Sequence, residues 1–219
     1  MRKITISGKK ILKGRHFAFV RGRGYIWMNL STSKYAVSDP DFIEELAEAA
    51  KYKSIIYDIA ENRKIAPSII AGIGSRESRW GLAQRPPGPE GTGDFVLREH
   101  ISRHRTGPLP PDGLGFGRGL MQIDYDYHEF ARTGNWRDPA ENIDYAVKLL
   151  VNFLRIIERN CQLDKTNLLR AGIASYNAGP GRVLKALRRG LDIDYYTTGG
   201  NYSADIIKRA EFFRLNGWN

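Results

Sequence analysis

The sequence predicts a mainly α (α+β) fold with a small β element, and three observations predict it. Apolar residues recur at helical spacing from Phe42 to Ile59 and again from Ile143 to Ile157. Two helix-opening signals stand just ahead of those runs: Ser38-Asp39-Pro40, and Asp138-Pro139-Ala140-Glu141 with an acid at the third helical position, as in a capping box. Strand-like patterning is confined to short pieces, Lys3-Ile4-Thr5-Ile6-Ser7 and His16-Phe17-Ala18-Phe19-Val20, set between glycines.

In chain order, residues 1–37 read as a basic, β-rich arm and residues 38–219 as the main domain. The first helix runs from the Ser38 start to about Arg63, the second from Pro67 to about Trp80, with Gly81 suited to its end. Residues 82–119 hold six prolines and many glycines, which predicts a long irregular loop of the kind that is functional or disordered, with a short strand at Phe95-Val96-Leu97. Helices follow from Asp138, then at about Thr166–Ser175, Gly181–Arg189 and Ser203–Leu215.

Composition narrows the class. At 219 residues, with 42% hydrophobic and 26% charged residues, the chain is long enough for a real core. No apolar run approaches the roughly 20 residues that span a bilayer. Cys161 is the single cysteine, so no internal disulfide supports the fold. The net charge is +10, but residues 1–38 carry nine Lys or Arg and no acid, whereas the rest holds 25 basic and 24 acidic residues. The arm therefore suits a polyanion: anionic wall polymer, a membrane surface, or nucleic acid, for which Phe17, Phe19, Tyr25 and Trp27 could stack on bases. The alternative is a solvated pair of strands whose lysines protect an edge. No apolar segment of about 7–15 residues follows the basic start, so no secretory signal is expected. Of the four histidines, only His100 and His104 lie at metal-binding spacing, in an Arg-rich segment that favours a solvated face. No metal or other cofactor is expected.

The most informative residue lies on the helix after Pro67. Ile69, Ile70 and Ile73 mark its apolar stripe, and steps of four and three residues extend that stripe to Glu77 and Trp80. Arg76 and Arg79 point elsewhere on the helix. A half-buried carboxyl without a cation has a raised pKa, which general-acid chemistry needs. The competing reading is a glutamate bound to a tertiary Arg or a helix N-terminus. Two further segments accompany it: glycine-dense Gly113 to Gly119, leading to Leu120-Met121-Gln122-Ile123-Asp124, and Ala174-Ser175-Tyr176-Asn177-Ala178-Gly179. Those glycines permit close approach of a ligand or another backbone.

Together with Ala71-Gly72-Ile73-Gly74-Ser75-Arg76-Glu77-Ser78, these segments resemble the three signatures of goose-type lysozymes, within the lysozyme and lytic-transglycosylase superfamily. The resemblance covers about residues 45–219 apart from the Leu82–Pro111 excursion. It implies a lysozyme-like fold and a muramidase that cleaves the β-1,4 bond between N-acetylmuramic acid and N-acetylglucosamine in peptidoglycan. It also implies Glu77 as general acid, Asp124 as a water-positioning aspartate, and Gln122, His128, Tyr176, Asn177 and Tyr202 near the sugar. Asp112 is the nearest candidate for a second aspartate, with Asp94 as the fallback; inversion requires carboxyl groups about 6.5–9.5 Å apart. Asp112 could instead serve a turn, Asp124 a helix cap or loop anchor, His128 a structural contact and Tyr176 the core. The missing disulfides and leader suggest a bacterial or phage enzyme, such as an endolysin, that is made in the cytoplasm and acts at the wall, or that leaves by a non-standard route. A monomer is expected. Two rivals stand beside this reading: a lytic transglycosylase yielding 1,6-anhydro sugar, and a non-catalytic polyanion-binding protein.

Overall fold

A computed structural model describes residues 4–5, 40–99 and 108–219 of the chain. The basic arm beyond Ile4–Thr5, with its expected strand at His16–Val20, and the pair His100 and His104 lie outside the described residues. The described elements are mostly helical, as the periodicity predicts.

The expected first helix is two: α1, Pro40–Ala50, and α2, Lys53–Arg63. Between them Lys51 N–H bonds Glu48 C=O at 3.1 Å and Tyr52 N–H bonds Ala49 C=O at 3.0 Å, a tightened turn that ends α1. The apolar spacing continues across this short break, so periodicity alone cannot see it. α3 spans Pro67–Ser78 and α5 spans Pro139–Asn160, with the four-residue α4 at Phe130–Thr133 between them. Asp138 caps α5 by accepting Glu141 N–H at 2.9 Å. The Glu141 side chain takes Asn135 instead of completing the capping box, so that expectation is half realised.

The described residues form two compact units: Ile4–Thr5, Ala60–Gly72 and Val147–Asn219 in the first, and those between Pro40 and Ile59 and between Ile73 and Ala146 in the second. The second contains a three-stranded antiparallel sheet in the order β2 (Thr92–Gly93), β3 (Gly117–Arg118), β4 (Ile123–Asp124). Thr92 pairs with Arg118, and Gly117 with Asp124. The expected strand at Phe95–Leu97 is thus displaced upstream. Phe95, Val96 and Leu97 are exposed, because the available partner is a glycine-arginine pair that accepts Thr92–Gly93 in register. β propensity cannot choose between pairings of this kind.

The first unit is built from the end of α5, then α6 (Lys165–Ala178), α7 (Pro180–Arg188) and α8 (Tyr202–Leu215). Ile157, Cys161, Ala171, Ala174, Val183, Leu184, Leu187 and Ile193 form its core. Gly72 of α3 meets α8 so closely that a Cβ there would lie 2.9 Å from Ala210 N and Ile206 O. Asp194 supplies what the α8 N-terminus lacks: it accepts Ser203 N–H at 2.8 Å, Ser203 O–H at 2.7 Å and Ala204 N–H at 3.2 Å. β5, Cys161–Gln162, pairs in parallel with β1, Ile4–Thr5.

Candidate active site

Glu77 lies half-buried in the last turn of α3, and its neighbours explain how it is held. Ser75 and Ser78, two residues before it and one after, are buried and turned inward. The Ser75 hydroxyl donates to Glu45 of α1, and the Ser78 hydroxyl donates to Leu120 C=O at 2.7 Å. The second bond ties the end of α3 to the turn between β3 and β4. Arg79 Nε donates to Glu45 Oε1 at 2.9 Å. Glu45, like Glu77, stands on an apolar stripe (Phe42, Glu45, Ala49); at Glu45 the arginine-bound reading of a core-facing carboxylate is the one realised.

α3 stops immediately after this motif. Arg79 and Trp80 both adopt positive φ, 51° and 55°. Two successive non-glycine residues in that region are strained and persist only where surrounding packing dictates it. Here the buried Trp80 ring folds back over Gly74, where a Cβ would come within 2.5 Å of it, and stacks on Tyr52 at 5.7 Å. Glu77 is therefore displayed from a rigid helix end.

The aspartates are organised by two arginines that the sequence reading did not single out. Arg98 donates from Nη1 to Asp124 Oδ1 at 3.2 Å and Asp126 Oδ2 at 2.9 Å, and from Nη2 to Asp124 Oδ2 at 2.5 Å and Asp94 Oδ2 at 2.9 Å. Its guanidinium lies over the Phe116 ring at 3.7 Å. Burial opposes its charge, but the bonds and charges of Asp124 and Asp94 outweigh this and hold its pKa above the ordinary arginine value. Asp126 N–H also bonds Asp124 Oδ1 at 2.8 Å, so both Asp124 oxygens are occupied.

Asp112 is arranged differently. Its Oδ1 accepts Leu114 N–H at 3.1 Å and Arg118 Nη2 at 2.9 Å, while Oδ2 is bonded by no other described residue and the side chain is 46% exposed. Burial pushes its carboxyl up, yet the Arg118 bond, the backbone N–H bonds and the Arg118 charge together keep it below the ordinary carboxylate value. Arg118 itself is 0% exposed. Its Nε and Nη1 have no hydrogen-bond partner among the described residues, and the Tyr125 and Trp136 rings, 4.8 and 5.4 Å from the guanidinium, compensate in part. The turn expected for Asp112 is thus present together with an available carboxylate oxygen.

The glycines of the approach serve backbone and side-chain packing. Gln122, at φ 48°, folds its amide across the sheet, where a Cβ on Gly93 or Gly117 would collide with Oε1; Nε2 donates to Gly119 C=O at 2.9 Å. Asn142 of α5 locks the same turn: it accepts Met121 N–H at 2.9 Å and donates to Arg118 C=O at 3.1 Å. His128 packs edge-on against Tyr145, with Nδ1 3.3 Å from its hydroxyl, and Tyr145 stacks on Phe130 at 4.3 Å. Burial is the main cause of a lowered His128 pKa, with Arg132 acting in the same direction and Asp124 opposing.

The remaining expected residues belong to the first unit. Tyr176 is half-buried near the end of α6, and exposed Asn177 accepts Thr198 N–H at 2.8 Å. Tyr202, expected as a sugar contact, is 2% exposed at the start of α8, so its ring belongs to the core. Glu45 meets Ser75 and Arg79, and Arg98 meets Asp124 and Asp126, across 26 residues or more, so sequence spacing does not reveal those bonds. Arg118 lies only six residues from Asp112, but inside an irregular loop where no period links the two. The available signals were the carboxylate on the α1 stripe and the i,i+4 spacing of Asp94 and Arg98.

A mainly helical fold, with a small antiparallel sheet that gathers carboxylates and is tied to a glutamate-bearing helix end, defines the lysozyme-like class. The profile of the lysozyme g family matches residues 101–217. Lysozyme g of Cyprinus carpio is 33% identical over 175 residues, covering 80% of this chain and 78% of that protein. Lysozyme g of Gallus gallus is 31% identical, covering 80% and 69%, and that of Struthio camelus 30%, covering 80% and 71%. The chain belongs to the lysozyme g family and is a glycoside hydrolase of the goose type.

Proposed function

We propose that this protein is a peptidoglycan muramidase that cleaves the β-1,4 bond between N-acetylmuramic acid and N-acetylglucosamine with inversion. The observation that carries this reading is the fixed presentation of Glu77: two inward serines and a back-folded tryptophan hold its helix end, and Ser78 couples that end to the aspartate-bearing sheet. Such fixation is what positioned acid catalysis requires. Glu77 gives its proton to the glycosidic oxygen as the bond to the anomeric carbon breaks. A water attacks that carbon from the opposite face and loses its proton to a carboxylate. Asp112 suits this second role, since Arg118 keeps it ionised and Oδ2 is open to water. Asp124, with both oxygens engaged, acts through position and charge. Solvent then restores both protonation states.

In this reading Gln122 and His128 of the second unit, and Tyr176 and Asn177 of the first, each contribute sugar contacts. The test is digestion of purified peptidoglycan by the native chain and by Glu77→Gln. The native chain should release reducing-end muramic acid of inverted anomeric form, and the variant should be slower by about 10³-fold. Release of 1,6-anhydro ends would establish transglycosylation instead. Equal lysis by the variant would remove Glu77 from the chemistry.

A further inference from the structure

The exposed face of α7 carries charge that the reaction does not use. From 181 to 190 the exposed residues are Gly181, Arg182, Lys185, Arg188, Arg189 and Gly190, whereas Val183, Leu184, Ala186 and Leu187 are buried. The segment contains no acid, and none of its four cations forms an ion pair with a described residue. Arg182, Lys185 and Arg189 fall at i, i+3 and i+7, so they form one stripe along the helix, with Arg188 at its flank. Tyr196 braces the far end: its ring centroid is 5.8 Å from Lys185 Nζ and its hydroxyl 3.4 Å from Arg189 Nη1. The nearest acid along the chain, Asp192, pairs with Arg170 at 3.4 Å.

Helix electrostatics explains only part of this pattern. Lys185, Arg188 and Arg189 suit a helix C-terminus, but Arg182 stands in the first turn, where the partial positive charge of the helix favours an anion. A cation retained against that preference, in line with three others, marks a surface built for an external anion.

We infer that the α7 stripe binds a linear polyol-phosphate polymer attached to peptidoglycan and so holds the enzyme on the wall; the choice of this polymer rests on the muramidase reading. Three of the four cations are arginines, whose forked guanidinium matches phosphate oxygens. A stripe along a helix gives a linear polyanion several contacts at once. The segment exposes no apolar side chain that could enter a bilayer, which sets it apart from a membrane-seated helix.

The test uses the full chain with Glu77→Gln, so that the walls stay intact. Retention is measured on purified sacculi bearing poly(glycerol phosphate), and on the same sacculi stripped of it with hydrofluoric acid. Changing Arg182, Lys185, Arg188 and Arg189 together to Gln should lower retention on the phosphate-bearing sacculi by at least about tenfold at low salt, and should change little on stripped ones. The control removes equal charge elsewhere through Lys148→Gln, Arg155→Gln, Arg159→Gln and Lys208→Gln, all at exposed positions, and should keep its retention. With Glu77 restored, turnover of a short soluble muramic-acid oligosaccharide should match the native rate.

Equal retention by the two quadruple variants, or equal native binding to stripped sacculi, overturns the inference. So does a loss confined to anionic lipid vesicles or duplex DNA, or a parallel loss of oligosaccharide turnover. Failure of the muramidase reading appears separately, as absence of oligosaccharide turnover by the native chain.

Discussion

Arg98 shows how one side chain can organise a site. It gathers Asp94, Asp124 and Asp126 on a single guanidinium seated over Phe116. Replacing it with Met leaves Asp124 and Asp126 without this cation. The expected cost is about 2 kcal/mol in chemical denaturation, with a fall in kcat that Arg98→Lys partly restores. Retained stability and kcat in the Met variant would show the hub to be idle. Arg118 acts on Asp112 in a way that pH can read. The native Asp112 carboxyl is held below its ordinary value, so a base at this position stays ionised to lower pH. In Arg118→Lys or Arg118→Met the opposing effect of burial weighs more, and the acid limb of the kcat/KM profile should move to higher pH. An unmoved limb would take Asp112 out of the base role.

Elements are set by contacts at their ends. α3 terminates where Trp80 folds over Gly74, and no Cβ fits between them. Gly74→Ala should therefore destabilise the chain by about 1–3 kcal/mol despite alanine's better helix propensity, and should reduce activity because Glu77 is one turn away; unfolding in urea measures the first effect. α8 depends on Asp194, which is seven residues upstream of Asn201 and accepts three bonds from the helix start. Asp194→Ala is expected to cost about 2 kcal/mol, and Asp194→Asn less, since Asn keeps acceptor capacity without the charge. Equal stability of both variants and the native chain would show that α8 needs no such cap.

For the whole molecule, the same perturbed groups give a stability profile in acid. His128 has a folded pKa below its unfolded value of about 6.5. The unfolded chain therefore binds the extra proton first, and stability falls as pH drops below about 6.5. Asp112 is also lowered, so its contribution is present above an unfolded pKa of about 3.9 and is lost as pH falls through the lower folded value. Thermal unfolding should show two acid stages, and His128→Gln should remove the upper one. A single stage unchanged by that variant would refute the assignment. Charge acts over the whole chain as well. Because its excess is concentrated in residues 1–38, removal of 1–36 should reduce wall retention at low salt more than at high salt.

The helices, the displayed glutamate and the family signatures were legible in the sequence because each is local. Periodicity over a few turns, a proline or aspartate at a helix start, and motifs six to eight residues long are complete within short stretches. The break between α1 and α2, the placement of β2 and the burial of Tyr202 required the folded chain, as did the two arginine anchors. Arg98 meets Asp124 across 26 residues, and Ser75 meets Glu45 across 30. A bond between side chains so far apart has no period or spacing in the sequence. It exists only when helix ends and strand register bring the groups within about 3 Å, so tertiary packing decided which carboxylates are clamped on both oxygens and which is held by one oxygen among the described residues.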